Sequence, residues 1–232
     1  MGNDICLKIS RAFKKYDEFI CLLSDARMSK YKKASGGNKV RTIQLYHHNL
    51  KLSQRMFGVI GMFEVILRNA IYNHYKEKFS DADWIVGQAS ADKLLEHEAG
   101  EIFRIKNDFI RRGIYSPDKM VASFSFGFWT YFFTRRNYKV GGKTLLQIFP
   151  NRRKGLKQTD VYNDLTMIRE LRNRIAHHEP ICFDSNRLLS TEYVRNLYSL
   201  TRTYIEYMGY DADKVLKIVE KPDRVLRDID AF

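Results

Sequence analysis

Apolar side chains recur every three to four residues along most of the chain, the spacing that gives an α-helix one apolar stripe. Between about Asp4 and Met28 the stripe is Ile5, Ile9, Phe13, Tyr16, Phe19, Ile20 and Leu23, which predicts one amphipathic helix. Ser35–Asn38, SGGN, interrupts it, and two adjacent glycines predict a mobile loop. The longest periodic stretch runs from Thr42 to about Phe79 through Leu45, Leu52, Met56, Val59, Phe63, Ile66, Leu67, Ile71 and Tyr75. Gly58 and Gly61 weaken its middle, by admitting a close neighbour or by kinking the rod, and close packing is the favoured use.

Beyond it, Asp81–Asp83 predicts a turn and possible cap before Trp84, and Ser90 to about Arg112 a charged helix ended by Gly113. Ser116, Pro117 and Asp118 open another, with proline in the first turn. The run SFSFGFWTYFF that follows is too aromatic for exposure; it reads as buried helix despite a composition that also suits strands. Asp160–His178 and Thr191–Met208 complete the helices, and the segments Asp211–Val219 and beyond Pro222 read as short and polar.

The chain has 232 residues, enough for one large helical domain or two small ones, and no linker argues for two. A formal charge of +13 favours anionic partners such as nucleic acid or a membrane surface. The cations cluster in segments that read as loops, and the candidates for phosphate contact are Lys32, Lys33, Lys39, Arg41, Arg135, Arg136, Arg152 and Arg153. Solvated surface charge is the competing explanation. Cys6, Cys21 and Cys182 are odd in number with no CxxC spacing, so neither a disulfide framework nor a zinc site is expected, and no metal or other cofactor. A reducing cytoplasm fits this usage. The longest apolar stretch, Val121–Phe133, is too short to span a bilayer, and no secretory leader opens the chain.

One segment carries chemistry. In Leu171–Pro180, LRNRIAHHEP, the residues Arg172, Asn173 and His177 make an RNxxxH set near the end of a helix. On an uninterrupted helix Arg172 and His177 would stand about 140° apart. Pro180 cannot continue a helix and disfavours it at Glu179, so the helix is expected to end near His177 or His178, letting the histidine swing back toward the arginine. An imidazole moves protons at neutral pH, a guanidinium grips two phosphate oxygens, and an amide both donates and accepts. RNA brings its own nucleophile, the 2′-hydroxyl, which needs a base and a cation to attack the adjacent phosphate. The competing reading is structural, since helix C-termini attract cations for electrostatic reasons alone.

The segment resembles the signature of the HEPN superfamily, and the wider chain is similar to its Abi-like (abortive infection) branch. The matching stretches are LYHHNLKLS (Leu45–Ser53), FEVILRNAI (Phe63–Ile71), ASFSFGFW (Ala122–Trp129), IFP (Ile148–Pro150) and IRELRNRIAHHEPI (Ile168–Ile181). The chain departs at His48, where family members often carry Trp. The resemblance implies an all-α, HEPN-type helical bundle with additional helices, forming a single domain over residues 1–232. Its N-terminal helical part would cover about 1–115 and the RNxxxH-bearing part about 116–232. It also implies a metal-independent endoribonuclease leaving a 2′,3′-cyclic phosphate, with two RNxxxH segments facing each other across a homodimer. Arg172, Asn173 and His177 would be catalytic, and His177 is chosen over His178 because the family spacing puts four residues after the arginine. Single-stranded or loop RNA would be the substrate, and the role that of a cytoplasmic toxin in phage defence or a toxin–antitoxin pair, with a small-RNA or protein antitoxin and no membrane. The alternative is a non-catalytic RNA-binding or regulatory module.

LRNAIYNHY at Leu67–Tyr75 echoes LRNRIAHHE at Leu171–Glu179. A second half-site is one reading, but His74 then lies inside a continuing helix, about 120° from Arg68. A supporting role is favoured: Glu64 and Arg68 share a helix face beside Asn69, and Glu64 can orient Arg172 while Arg68 adds a phosphate contact. A surface salt bridge is the alternative. His178 can position its neighbour or bind RNA. His47, His48 and His97 lack metal-ligand spacing, and Asn49, in YxxN with Tyr46, is a candidate for buried polar support.

Overall fold

A computed structural model describes residues 16–232. Among them the fold is all-α, with twelve α-helices, two short 3-10 turns and no strand. In chain order these are α1 (Tyr16–Leu23), α2 (Asp25–Ala34), α3 (Lys39–Phe79), α4 (Trp84–Gly87), α5 (Ala99–Arg111), α6 (Pro117–Ser123), α7 (Phe126–Tyr131) and α8 (Arg135–Val140). A 3-10 turn at Leu145–Ile148 leads to α9 (Gln158–Ala176), and α10 (Glu192–Tyr207) and α11 (Ala212–Val215) follow. A second 3-10 turn, Leu216–Ile218, precedes α12 (Asp223–Asp230). No described helix is long and apolar enough to cross a membrane.

The chain groups into two compact units. The first comprises the described part of Met1–Val59 together with Leu171–Ser199 and Lys217–Phe232. Its core is mixed aliphatic and aromatic: the ring of Tyr31 meets Tyr46 and Phe183 edge-on, each with centroids 5.3 Å apart, and Leu52, Met56 and Val59 are fully buried. Gly58 admits Val219, whose side chain would lie 3.6 Å from an added Cβ, which is the close packing expected of it, whereas Gly61 meets nothing within 4 Å. The tail after Pro222 is more than polar: α12 buries Val225, Leu226 and Ile229, an i, i+1, i+4 set that covers one helical face.

The second unit comprises Ile60–Glu170 and Leu200–Leu216. Here aromatic rings do most of the filling. Phe126, Trp129, Phe132 and Phe133 from the aromatic run are all buried, and Trp84 packs against Tyr75 and Phe132 at 5.1 and 5.7 Å. Burying one such ring removes roughly 150–250 Å² from water, worth on the order of 4 kcal/mol or more. Within the run only Ser123, the last residue of α6, and Phe126–Tyr131, which is α7, are helical, because Phe124 adopts an extended conformation (ψ 143°) between the two helices.

Other boundaries moved for local reasons. The expected single first helix breaks at Ser24, which sits at φ 71° and caps α2 by accepting from the Arg27 N–H; its part before Tyr16 lies outside the described residues. The SGGN segment is a closed turn, with Gly37 N–H bonded to Lys32 C=O at 2.9 Å, so α3 starts directly after it. The charged helix expected from Ser90 begins only at Ala99. Asp92 is left-handed at φ 60°, and the adjacent residues Leu94 and Leu95 are both buried by successive turns. Ser116 and Pro117 do open α6, with the serine accepting from the Lys119 N–H at 3.2 Å.

Candidate active site

The motif helix α9 ends one residue after its last buried residue. Leu171 and Ile175 are buried, but Ala176, His177, His178 and Glu179 are all exposed and Pro180 follows, so nothing rewards further winding. The closure is a two-bond lock. His178 N–H bonds to Ile175 C=O at 3.0 Å and Glu179 N–H to Arg174 C=O at 2.8 Å, with His178 at φ 56°. This is the Schellman arrangement, whose left-handed position is usually glycine. A side chain there costs roughly 1–2 kcal/mol, so the surroundings must hold it.

They do so with polar contacts. Arg27 of α2 donates from Nη1 to the His178 carbonyl at 2.8 Å. Arg174 donates from Nη2 to the Pro180 carbonyl at 2.6 Å and faces the Glu179 carboxylate at 3.6 Å. The next two residues are pinned from α3: the buried Asn49 Oδ1 accepts the N–H of Ile181 at 2.9 Å and of Cys182 at 3.3 Å. Asn49 is thus the buried polar support that its YxxN setting predicted. Arg27 and Arg174 were missed as parts of this turn; Arg27 stands 151 positions from His178, and no local pattern could have joined them.

The helix closes where Pro180 led one to expect, at His177–His178, but the histidine does not swing back. His177 N–H still makes the ordinary helical bond to Asn173 C=O at 2.9 Å, so His177 remains on the spiral and does not swing toward Arg172. Asn173 and His177, four apart, share an exposed stripe about 40° wide, while the half-buried Arg172 sits about 140° from His177 around the axis. The expectation that Pro180 would bring arginine and histidine together within one helix end is corrected: the left-handed residue that redirects the chain is His178, after the catalytic candidate. What the segment presents together is an imidazole, an amide and, on the turn itself, the Arg27 guanidinium, which is exposed and bonded through one nitrogen to His178.

The remaining candidates are distributed as follows. On α3, Glu64 and Arg68 are half-buried and Asn69 is exposed; Arg68 Nε is buried with no hydrogen-bond partner among the described residues. In the echo segment, His74 lies mid-helix as anticipated, with Nε2 2.9 Å from Thr144 Oγ1, and burial holds its pKa below the ordinary value. Burial likewise lowers His47 and His48, while His97 is exposed. Cys182 is buried and its thiol is pushed up to about 12, which leaves no thiolate for chemistry at neutral pH. Among the described residues no cluster of His, Cys, Asp or Glu is placed to hold a metal ion.

The basic candidates divide by what they touch. Lys32 and Lys33 lie on α2, Lys39 and Arg41 on α3, and Arg135 and Arg136 on α8, so six of the eight are helical rather than on loops. Several are committed to the fold. Lys39 pairs with Asp17 at 3.6 Å, Arg41 bonds the Phe232 carbonyl and stands 4.7 Å over its ring, and Arg136 pairs with Glu96 at 2.9 Å. Arg152, on a loop, staples the Leu146 and Phe149 carbonyls, each at 3.1 Å. The side chains of Lys32, Lys33, Arg135 and Arg153 are exposed and make no hydrogen bond or ion pair among the described residues.

Comparison with known proteins agrees with the sequence resemblance at the family level. A family model described as Abi-like protein matches residues 8–182, three quarters of the chain and all of the segments from Leu45 to Ile181, so the chain belongs to the Abi-like protein family. No curated protein matches it, and no solved structure does.

Proposed function

We propose that this Abi-like protein is a metal-independent endoribonuclease of the HEPN type that cuts single-stranded or loop RNA, leaving a 2′,3′-cyclic phosphate, and that it acts as a toxin in phage defence or a toxin–antitoxin pair. The observation that carries the proposal is the end of α9: an exposed His177 and Asn173 on one stripe, beside a turn built with a left-handed histidine and a bound arginine. Non-glycine residues held at such angles concentrate where function demands a fixed geometry. In this reading His177 takes the 2′-hydroxyl proton and Asn173 orients the phosphate or the imidazole. Arg172, directed elsewhere on the same helix, grips a phosphate presented with the His177 of a second copy, so a homodimer is the active unit.

The separation of Arg172 from His177 also favours a second reading, in which the segment is only an anion clamp of an RNA-binding or regulatory module. One experiment separates the two. Purified protein is incubated with total RNA in excess EDTA and the cut ends are mapped. Cyclic phosphate ends, with single-stranded DNA untouched, support the nuclease; RNA binding without any cyclic end supports the clamp. Mixing Arg172→Ala with His177→Ala protein tests the dimer, because one intact composite site re-forms in the mixed dimer and restores part of the activity.

A further inference from the structure

A second site lies in the unit that holds the echo segment. A cavity of about 310 Å³ opens beside α3, between the 3-10 turn and the end of α10. Its apolar wall is Ile148 and the buried Met208. Asn73, Glu77 and Gln147 line it as exposed polar groups that no internal bond consumes among the described residues. His74 completes the polar side, its Nε2 held by Thr144. Because burial lowers its pKa, this imidazole is neutral at physiological pH and offers a hydrogen bond rather than a charge.

The aromatic member is Tyr210, and its position is fixed by the backbone. Helix α10 ends in its own Schellman lock: Gly209 N–H bonds to Glu206 C=O at 2.9 Å and Tyr210 N–H to Ile205 C=O at 3.2 Å, with Gly209 at φ 87°. Asn151 N–H adds a bond to Tyr207 C=O at 3.0 Å. The residue after such a glycine ordinarily packs back on its helix. Tyr210 instead remains 53% exposed at the rim of the cavity. A large exposed ring at the rim of a pocket of amides, a carboxylate and two apolar side chains is the set of groups that stacks a splayed base and hydrogen-bonds its edge.

We infer that this pocket receives one unpaired base of single-stranded RNA, stacked on Tyr210 and read by Asn73, Glu77 and Gln147. The exposed Arg152, stapled to the carbonyls of Leu146 and Phe149, sets a cation beside the turn that carries Gln147 and Ile148, where the strand's phosphate is held. Glu77 selects bases that present donors, and guanine, with adjacent N1–H and N2–H groups, satisfies its carboxylate best. The inference rests on the reading of the protein as one that handles RNA, and adds a base-recognition site remote in sequence from the RNxxxH segment.

The test uses full-length protein and a fluorescein-labelled twelve-nucleotide uridine strand, 2′-O-methylated so that it cannot be cut by its own hydroxyl. The central position is guanine, uracil or abasic, and binding is followed by anisotropy, with free guanosine monophosphate as competitor. The guanine strand is expected to bind roughly tenfold more tightly than the abasic strand, a difference that Tyr210→Ala removes and Tyr210→Phe keeps. Glu77→Gln is expected to erase the preference for guanine over uracil. Equal binding of all three strands, or a Tyr210→Ala protein of unchanged circular dichroism that binds like the parent, overturns the pocket while leaving the nuclease reading intact. Failure of every strand to bind overturns both. Guanosine monophosphate competing at the concentration of the strand itself reassigns the pocket to a free nucleotide and overturns the RNA assignment.

Discussion

Two segments of this chain share five residues in register and fold differently. In LRNAIYNHY the apolar positions Leu67, Ile71 and Tyr75 are all buried, and α3 continues to Phe79. In LRNRIAHHE the first two, Leu171 and Ile175, are equally buried, but the third position is the exposed Glu179. Helix propensity hardly distinguishes them. The presence or absence of a third apolar residue with somewhere to go decides whether the helix continues, in keeping with tertiary burial as the main source of helical stability. One histidine is consequently tied to Thr144 in mid-helix, and the other stands exposed at a helix end where a substrate can reach it.

The comparison can be broken from either side, and the largest effect is expected in the echo. Tyr75 is fully buried and stacks on Phe79 with centroids 5.6 Å apart, so Tyr75→Ala is expected to cost about 4 kcal/mol in chemical denaturation, with a cavity left behind. A loss under 1 kcal/mol would mean that the third apolar position does not hold the helix. Next comes Asn49→Ala, which strands the buried N–H groups of Ile181 and Cys182 and should cost about 3 kcal/mol, lowering the melting midpoint by roughly 10 °C. Hydrogen exchange at those two amides should accelerate more than exchange within α12.

A smaller effect, opposite in sign, is expected at the turn. His178→Gly relieves the left-handed strain and should stabilise the protein by about 0.5–1 kcal/mol after the added freedom of the unfolded chain is counted, whereas His178→Val should destabilise it. If both substitutions destabilise alike, the φ angle is not what limits the turn.

The smallest effect concerns pH. His47, His48 and His74 are all held below their ordinary pKa by burial. The unfolded chain therefore takes up protons that the folded chain refuses. Their contribution to stability is complete above the unperturbed histidine value of about 6.5 and is lost as pH falls from there toward the depressed folded values. Melting curves between pH 8 and pH 5 should show this decline, and replacing the three with glutamine should flatten it.

Much of the helical framework was legible because its signals are local. The capping serine and proline at Ser116 and Pro117, the stripe from Leu45 to Tyr75 and the end of the motif helix near Pro180 all depend on residues within a turn or two. What escaped was decided at a distance. The break at Ser24 interrupts a continuous apolar stripe, and α12 draws its value from three side chains that look unremarkable until something covers them. The candidate site shows the same division. Asn173 and His177 are evident from spacing, and Asn49 was suspected from YxxN, but the Arg27 contact to His178 joins residues with no sequence relationship. The swing of His177 toward Arg172 did not follow from the proline, because His177 keeps its helical bond to Asn173 and the left-handed residue is His178.

The central claim is that the imidazole at the end of α9 moves the proton that lets RNA cleave itself. Its most direct test is the single-turnover cleavage rate of a labelled RNA strand in EDTA, for the parent protein and for His177→Ala of unchanged circular dichroism and melting midpoint. The account predicts a cyclic-phosphate product from the parent and a rate reduced at least a hundredfold in the variant, the usual contribution of a positioned acid or base. Cleavage by His177→Ala at the parent rate would contradict it.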